Sequence, residues 1–467
     1  MLIIIVIAFF ILLLVVDYLT SFNIKHSVGI SLYYKDKVKL TNLLDQFPGY
    51  DRVKECSPYL SLNNDILSFN GDLTITNRVE EQLHQQVVLE NSYTKETKSI
   101  AVNISSWIDD VYYLKEIHPH RYGIIFRFYF YIKGAVQRRF VRSTRFECLL
   151  LTQDNITYYT KSGYLWAMTK NDKCRICKFP IEDPIHNQMI CAGDFAFIRT
   201  GFSIYFSQDG LKNWKRIYHG KRSIKESMVF EENTKKLIFS QYTPGMKMER
   251  HYILSYSIEN DKLEVLSTFY TKEEHEKNGD SPFCRHMHIL TKDPFTNDLY
   301  LGTGDSNTES GIYRSVDSGN TFSYVGGGDQ SWRTLSFIFT KDFVFWNNDS
   351  SAPQYLCRIK RSDLESLPVS NDRVTRFPLI NGACWGVEKY GDIYIMSSNS
   401  EGSLYDCNHR VYGIVISDEG IPIVYNLLAE KSTKFSSNQL FIQGVDCRGL
   451  VWFHDETGTR KFKLIKK

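Results

Sequence analysis

Residues 315–322 read SVDSGNTF, and residues 207–214 read the related but weaker SQDGLKNW. In each octet the aspartate is suited to accept backbone N–H bonds within its own turn, and the glycine supplies a left-handed backbone angle. The terminal aromatic residue, Phe322 or Trp214, is suited to pack beneath a hairpin as an apolar plug. Each octet therefore predicts a tight turn between two β-strands.

The spacing of the octets indicates a repeated unit. They begin 108 residues apart, which is two units of about 50 residues if each unit is one four-stranded propeller blade. Short apolar and aromatic runs recur between turn-forming clusters, and the 29 Tyr and 30 Phe residues suit half-buried pleated surfaces. We therefore predict an all-β fold, a β-propeller of seven blades, with six or eight blades as alternatives.

The composition of the whole chain fits one closed domain. A length of 467 residues would give two or three domains of average size, but a propeller is a single domain that escapes this rule. The formal net charge is only +3. Since this charge gives no broad electrostatic basis for binding nucleic acid, we predict no nucleic-acid partner.

The first residues predict a membrane segment or an export signal. Leu2–Val16 is an unbroken apolar run of 15 residues, which Asp17 ends. This run is short for a spanning helix of about 20 residues but suits the apolar part of a signal peptide. An uncleaved signal-anchor helix is favoured, and a cleaved signal peptide with a secreted product is the alternative. The predicted organisation is a signal or anchor at 1–22, a juxtamembrane linker at 23–60 and the propeller at 61–467.

Opposing signals bear on the side of the membrane. Lysines after the apolar run favour a cytoplasmic propeller; they are Lys25, Lys35, Lys37 and Lys39. Three glycosylation triplets, at Asn103, Asn155 and Asn348, and ten cysteines suit an oxidising compartment. Because the apolar run is itself an export signal, we expect a single-pass membrane protein with its propeller outside the cytoplasm.

Four residues have a spacing that could close a tetrahedral metal site. Cys174, Cys177, His186 and Cys191 follow the pattern C-x2-C-x8-H-x4-C, and zinc is commonly bound by such sulfur and nitrogen ligands. Two alternatives remain open for the same segment. One is a disulfide between two of the three cysteines, and the other is a set of buried thiols.

Polar residues cluster at the ends of predicted strands around the first octet. Arg285, His286 and His288 begin one strand, and alternation would put the two imidazoles on one face. Asp305 ends the next strand, and Asp349 ends a later one. Further polar residues precede a strand between them; they are Gln330, Trp332 and Arg333. Because the loops at one rim of a propeller converge, we expect these groups to meet.

Such a cluster suits acid–base chemistry on an acidic sugar polymer. An arginine can bind a uronate or sialate carboxylate, a tryptophan can stack on a sugar ring, and a histidine can transfer a proton. The predicted catalytic residues are His286, His288, Asp305 and Arg333, and the predicted substrate-binding residues are Arg285, Gln330, Trp332, Asp349 and Glu401. The same histidine pair could instead bind a divalent metal. A purely structural network between blades is the other interpretation.

The segment from about Ser207 to Glu401 resembles the Asp-box (bacterial neuraminidase repeat) sialidase-like β-propeller family. The shared features are the first octet, His286 and His288 before a D-P-x-T run (Asp293, Pro294, Thr296), the Thr303-Gly304-Asp305 turn, and Gln330-Ser-Trp332-Arg333. Asp349 and Ser398–Glu401 belong more loosely to the pattern. The resemblance covers about two fifths of the chain and implies a propeller that binds or cleaves a polysaccharide.

The chain departs from true sialidases, which leaves the reaction open. It contains no Arg-Ile-Pro motif, and the arginine triad and Tyr-Glu nucleophile pair of those enzymes cannot be assigned to its residues. Propeller polysaccharide lyases are an equally good analogy. The alternative to a glycoside hydrolase or lyase is a non-catalytic glycan- or protein-binding propeller in surface-polymer assembly, with Trp332, Trp346 and Trp385 as contact residues.

Overall fold

The structure is a computed structural model. It describes residues 29–33, 37–39, 60–62, 67–69, 72–75, 83–91, 97–105, 111–117, 147–179, 188–220, 227–242, 250–270, 284–349, 354–379, 384–398, 408–431, 440–455 and 458–466. The predicted apolar anchor or signal at 1–22 lies outside these residues. Among the residues described, no helix is long and apolar enough to cross a membrane.

The described chain is almost entirely β-structure. The strands are β1 Gly29–Tyr33, β2 Lys37–Lys39, β3 Leu60–Leu62, β4 Leu67–Phe69, β5 Asp72–Ile75, β6 Leu83–Asn91, β7 Thr97–Ser105, β8 Tyr112–Glu116, β9 Glu147–Gln153, β10 Ile156–Lys161, β11 Tyr164–Met168, β12 Lys173–Lys178, β13 Gln188–Ala192, β14 Phe195–Thr200, β15 Ser203–Ser207, β16 Lys215–His219, β17 Met228–Glu231, β18 Lys236–Ser240, β19 Arg250–Ser257, β20 Lys262–Tyr270, β21 His286–Lys292, β22 Leu299–Gly304, β23 Gly311–Ser315, β24 Ser323–Gly327, β25 Thr334–Phe339, β26 Phe343–Asn348, β27 Gln354–Lys360, β28 Thr375–Leu379, β29 Cys384–Tyr390, β30 Ile393–Ser398, β31 Asn408–Ile416, β32 Pro422–Lys431, β33 Phe441–Val445, β34 Leu450–Asp455 and β35 Gly458–Lys466. Short 3-10 turns lie at Asn307–Glu309, Gln330–Trp332, Arg361–Glu365 and Asn371–Arg373.

Seven four-stranded antiparallel sheets form the blades. Six use consecutive strands, so that blades 1 to 6 are β9–β12, β13–β16, β17–β20, β21–β24, β25–β28 and β29–β32. Blade 7 combines β33, β34 and β35 with β8. The first strands of successive blades contact one another in a closed ring, from β9 through β33 and back to β9. The prediction of an all-β, seven-bladed propeller is therefore confirmed.

The strands before β8 form two further sheets, β1-β7-β6-β3 and β2-β5-β4. The strands between Leu60 and Ser105, which the predicted propeller limits include, belong to these two sheets. The strands of the seven blades come from Tyr112–Glu116 and from the chain between Glu147 and Lys466.

In the described part of the blades, the core consists of seven apolar clusters, one at each interface between neighbouring blades. Between blades 2 and 3, for example, the rings of Phe197 and Phe230 lie 5.5 Å apart. Burying one such side chain contributes about 1.5–3 kcal/mol. The interface between blades 7 and 1 has the smallest fully buried set in the described chain, Leu149, Tyr159, Met168, Cys447 and Trp452.

Both octets form the predicted turns. Ser315–Phe322 joins β23 to β24, and the Asp317 carboxylate accepts hydrogen bonds from the Thr321 backbone N–H (2.8 Å) and hydroxyl (2.6 Å). Although burial alone would raise the pKa of Asp317, these hydrogen bonds lower it. Phe322 packs against Phe269 of blade 3, and their ring centroids lie 5.8 Å apart.

The weaker octet occupies the equivalent place in blade 2. It joins β15 to β16, and Asp209 accepts bonds from the N–H groups of Asn213 (3.0 Å) and Lys212 (3.2 Å). The backbone N–H of Asn213 is the main cause that lowers the pKa of Asp209 to about 2. The two octets thus lie two blades apart, as their spacing predicts.

Polar contacts fasten the strand that closes the ring. On β35, Arg460 binds Glu116 of β8 at 2.8 and 2.9 Å and Glu430 of blade 6 at 2.5 and 2.6 Å. Asp455 lies 3.6 Å from the same guanidinium. Burial alone would lower the pKa of Arg460, but the hydrogen bonds that Arg460 donates to Glu430 and Glu116 raise it. One cation therefore links blade 6, blade 7 and the N-terminal strand β8.

Replacing Arg460 should weaken the contacts that close the ring. We expect Arg460→Met to lower the free energy of unfolding by about 3–5 kcal/mol, because carboxylates that are largely buried lose their partner. Urea denaturation of the full-length chain measures the change. Arg216→Met is the matched control, since Arg216 is exposed on β16, and it should change the stability by less than about 0.5 kcal/mol. Equal effects of the two substitutions would contradict the role given to Arg460.

Candidate functional site: a rim cluster of blades 4 and 5

Five polar residues from the ends of four neighbouring strands meet at one rim. His286 begins β21 and pairs with Gly304, which Asp305 follows. Arg333 precedes Thr334, the first residue of β25, and Thr334 pairs with Asn348, which Asp349 follows. Because neighbouring strands in each pair are antiparallel, the start of one and the end of the other lie at the same edge. We call His286, His288, Asp305, Arg333 and Asp349 the rim cluster.

Asp305 is the centre of this cluster. Its carboxylate oxygens lie 2.7 Å from Nδ1 of His286 and 3.2 Å from Nε2 of His288. The guanidinium of Arg333 lies 3.3 Å from Asp305 and 3.0 Å from Asp349. Burial alone would raise the pKa of Asp305, but the two histidines lower it well below its usual range. Asp305 is therefore ionised at neutral pH.

The two imidazoles are deeply placed. The residues His286 and His288 are 8% and 2% exposed. His288 sits at an irregularity in the pairing of β21 with β22, and an extra residue of this kind redirects a side chain. Both rings contact Asp305 and therefore share a face, as predicted, although the strand pairing is irregular at His288.

Thr303 and Gly304 each have a structural role in the Thr303-Gly304-Asp305 turn. The Thr303 hydroxyl lies within hydrogen-bonding distance of the carbonyl oxygens of Glu309 (2.8 Å) and Gly311 (3.1 Å), which fixes the loop. A Cβ atom at Gly304 would lie only 2.6 Å from His288 Cε1 and 2.9 Å from Arg333 Cγ. Glycine is therefore required for the approach of both side chains to Asp305.

Several buried nitrogens of the cluster have no aligned hydrogen-bond partner in the described part of the chain. They are Nδ1 and Nε2 of His286, Nδ1 of His288 and Nε of Arg333. The 2.7 Å approach of His286 to Asp305 is an ion-pair distance without hydrogen-bond geometry at the ring nitrogen. The hydrogen-bonding capacity of the rings is therefore only partly used.

Tyr242 is a neighbour of the cluster that the sequence reasoning missed. Its ring centroid lies 4.9 Å from that of His286 and 6.4 Å from that of His288. Tyr242 comes shortly after β18, the second strand of blade 3. Asp305 and Asp349 follow the second strands of blades 4 and 5 in the same way. Aligning the blades by their second strands would have found it.

The remaining predicted binding residues have different surroundings. The Gln330 side-chain amide donates to the backbone carbonyl of Asp305 (2.9 Å), so it positions the loop. The side chain of Arg285 is 38% exposed and lies 3.9 Å from Glu309. Glu401 lies outside the described residues. Arg285 is therefore the more accessible predicted cation at this rim.

Trp332 is part of the core rather than the surface. It is fully buried, stacks on Trp346 at 4.9 Å and donates to Asn371 Oδ1 at 2.7 Å. Its ring has no exposed face to offer to a sugar, and Trp346 is buried as well. The side chain of Trp385 lies outside the description. Trp332 instead anchors the backbone next to Arg333.

The D-P-x-T run lies at the far end of β21 from the histidines. Asp293 follows Lys292, the last residue of β21, and accepts a two-pronged bond from Arg361 of blade 5. Arg361 also donates to the carbonyl of Thr340 (2.9 Å). This buried pair joins blades 4 and 5 and has no contact with the rim cluster.

The cysteine-rich segment gives no assembled metal site in the described residues. Cys174 and Cys177 lie on β12 of blade 1, and Cys191 lies on β13 of blade 2. Their ligand atoms do not come close enough together for one ion, and burial raises the pKa of Cys191 to about 11. His186 lies outside the described residues, so the four-ligand set stays a prediction.

The buried charge of Asp305 gives a pH-dependent expectation. Asp305→Asn should lower the free energy of unfolding at pH 7 by about 1–3 kcal/mol. Because the folded pKa is lowered, the ionised carboxylate contributes stability above its unfolded pKa of about 3.9 and loses it as the pH falls. Urea denaturation should show the deficit of the variant shrinking from pH 5 to pH 3.

The control for this measurement is Asp342→Asn, since Asp342 is exposed in the turn between β25 and β26. That variant should match the unmodified protein at each pH. A deficit of Asp305→Asn that stays constant between pH 5 and pH 3 would show that its carboxylate charge does not stabilise the fold.

The chain has only low similarity to known proteins. No family model and no curated protein matches the chain. Among solved structures, it is similar to an ancestral GH74 enzyme (12% identity, TM-score 0.44, covering 67% of this chain and 43% of that enzyme). It is also similar to hydrazine synthase of Kuenenia stuttgartiensis (10% identity, TM-score 0.46, covering 71% of this chain and 99% of that chain). A third similar structure is the extracellular domain of a putative one component system of B. thetaiotaomicron (10% identity, TM-score 0.45, covering 68% of this chain and 38% of that chain). These values carry no argument about function.

Proposed function

We propose that the rim cluster binds an acidic polysaccharide and acts on it by acid–base chemistry, as a glycoside hydrolase or a polysaccharide lyase. The observation that carries the proposal is the Asp305 carboxylate shared by His286, His288 and Arg333. A carboxylate that orients an imidazole stabilises its protonated form, which is how proton-transferring histidines are commonly supported. The cluster also lies at a strand-end rim, where propeller loops converge.

The two histidines receive different roles from their burial. The His286 side chain is 10% exposed and that of His288 is 3% exposed. His286 is therefore the group that gives or takes the substrate proton, and His288 helps to hold Asp305 ionised and in place. The Tyr242 ring beside His286 limits the positions available to that imidazole.

The arginines explain the preference for an acidic substrate. The Arg333 side chain is 25% exposed, and it already bridges Asp305 and Asp349 on its inner side. Arg285 is more exposed on the same rim, and its only ion pair within the described residues is the 3.9 Å approach to Glu309. Guanidinium groups of this kind bind carboxylates in a planar, two-pronged manner. A uronate or sialate carboxylate is therefore the proposed anchor of the substrate.

The same residues serve either reaction. In hydrolysis, a protonated His286 would donate its proton to the glycosidic oxygen that leaves, while a water molecule forms the new bond to the anomeric carbon and releases a proton to the solvent. In β-elimination, a neutral His286 would remove the proton next to the uronate carboxylate, and Arg333 would balance the charge that develops. The C–O bond to the neighbouring sugar would break as the C=C bond forms, and the protonated His286 would return the proton to the leaving oxygen. The product distinguishes the two, because only elimination produces an unsaturated sugar.

A binding-only function is the second candidate. The observation that favours it is the deep burial of His288, at 2% exposure, with Arg333 already engaged by two carboxylates. In that case the cluster would serve as a rigid base below a glycan- or protein-binding surface of a surface-polymer assembly factor.

We also propose that the protein is anchored in a membrane by its N-terminal segment, with the propeller outside the cytoplasm. The support is the apolar run Leu2–Val16, which has the character of an export signal. The described cysteines do not contribute to this proposal, because they are free thiols.

The test is an assay of the full-length chain on uronate-containing and sialylated polysaccharides. New reducing ends with the absorbance of unsaturated uronate indicate a lyase, and reducing ends alone indicate a hydrolase. His286→Gln should reduce kcat/KM by about 100-fold or more, because it removes the proton-transfer group. Arg333→Lys should mainly raise KM for acidic substrates, since lysine cannot bind a carboxylate in two-pronged fashion.

His219→Gln and Arg216→Lys are the matched controls, because both residues are exposed on β16 of blade 2. They should keep full activity. Binding of an acidic polysaccharide without turnover would favour the second candidate. Normal turnover by both rim variants, or neither binding nor turnover of any acidic polysaccharide, would overturn the proposal.

A further inference from the structure

Three side chains of the rim cluster have the spacing of metal ligands. One donor atom from each of His286, His288 and Asp305 lies within 4.8 Å of the other two. Zinc binds imidazole nitrogen at about 2.0–2.1 Å and carboxylate oxygen at about 2.0–2.2 Å. Small side-chain rotations would therefore bring all three donors onto one ion. The strand pair β21–β22 carries all three residues, which gives the set a rigid base.

The unused nitrogens are an independent indication of a ligand. Nδ1 and Nε2 of His286 and Nδ1 of His288 are buried without an aligned hydrogen-bond partner in the described chain. His288 is only 2% exposed. Leaving a polar atom buried and unpaired is unfavourable, and each neutral imidazole has one nitrogen lone pair that an ion could accept.

The donor set restricts the kind of ion. Two imidazoles and one carboxylate suit borderline divalent ions of the first transition row, whereas calcium and magnesium prefer oxygen ligands. Three protein ligands also leave a coordination position open, as in catalytic rather than structural sites.

The charges around the site favour the binding of a divalent cation and then of a substrate carboxylate. Asp305 and Asp349 face one guanidinium, that of Arg333, so the group carries one excess negative charge with neutral imidazoles. A divalent ion changes this balance to one excess positive charge. A single substrate carboxylate would then neutralise the site. Arg333 can remain on Asp349, at 3.0 Å, when Asp305 turns toward the ion.

We propose that His286, His288 and Asp305 bind one divalent first-row transition-metal ion, and that its open position takes the carboxylate of the acidic substrate. The ion-binding half stands on the cluster alone. The substrate half rests on the acidic substrate of the proposed function; with the ion bound, His286 is a ligand instead of the proton-transfer group.

The experiment uses the full-length chain after removal of metal with a chelator. Mn²⁺ is the first probe, because thiolate ligands select softer ions and the cysteines of blades 1 and 2 will not compete for it. Calorimetric titration should show one saturable Mn²⁺ per chain. His288→Asn and Asp305→Asn should each weaken that binding by at least about 100-fold, since each removes a direct ligand, and His219→Asn should leave it unchanged.

A measurement on the unsubstituted protein guards against variants that fail to fold. X-ray absorption of the Zn²⁺-loaded chain should show two imidazole nitrogens and oxygen ligands. The same spectrum in a chain carrying Cys174→Ser and Cys177→Ser should be unchanged. Sulfur ligands that disappear in this double variant would place the zinc in the cysteine segment and overturn the proposal for Zn²⁺.

The outcomes separate the two proposals. Absence of saturable Mn²⁺ and Zn²⁺ binding overturns the metal site, even if polysaccharide turnover is normal. Metal binding that survives both ligand substitutions in folded protein overturns it as well. Metal binding at this site with no interaction with any acidic polysaccharide upholds the ion-binding half and overturns both the substrate half and the proposed function.

Discussion

Closure of the ring is the constraint on which the rest of the structure depends. Each blade buries its apolar faces only against its two neighbours, so an open ring would expose two of them. The closing interface between blades 7 and 1 has the smallest apolar set in the described chain. Polar contacts supplement it: Glu147 binds Lys461, the Gln443 side chain accepts from the Leu149 N–H at 3.2 Å, and the Thr157 hydroxyl accepts from the Cys447 N–H at 2.7 Å. Together with Arg460, these contacts hold the ring that places blades 4 and 5 side by side.

The rim cluster depends on that placement in turn. Its acidic centre, Asp305, belongs to blade 4, while Arg333 and Asp349 belong to blade 5. The Asp349 N–H donates to the Arg333 carbonyl at 2.5 Å, and the buried pair of Asp293 and Arg361 locks the same two blades at their other end. A slip of blade 5 relative to blade 4 would therefore separate Arg333 from Asp305. The pair of Asp293 and Arg361 therefore fixes the relative position of the two blades. The contact between Asp305 and Arg333 depends on that position.

The sequence predicted local features well and long-range ones poorly. The octet turns, the seven blades and the convergence of His286, His288, Asp305, Arg333 and Asp349 all follow from patterns within or between adjacent strands. The burial of Trp332 could not be read from its sequence position, because its partner Asn371 lies 39 residues further on. The closure by β8 was hidden for the same reason, since Glu116 and Arg460 are separated by 344 residues. Tyr242 was missed because no residue of the rim cluster belongs to its blade.

The paired octets also show what the turn requires of its sequence. In the first, Ser318 and Gly319 have φ values of +58° and +87°; in the second, Gly210 and Leu211 both have +70°. The turn therefore has two successive left-handed positions, and glycine can relieve the strain at either one. A search pattern that fixes glycine at the fifth place detects only the first of these two turns. Divergent propellers can therefore carry copies of this turn that fixed patterns overlook, and their blade number is better judged from the aspartate and the closing aromatic residue.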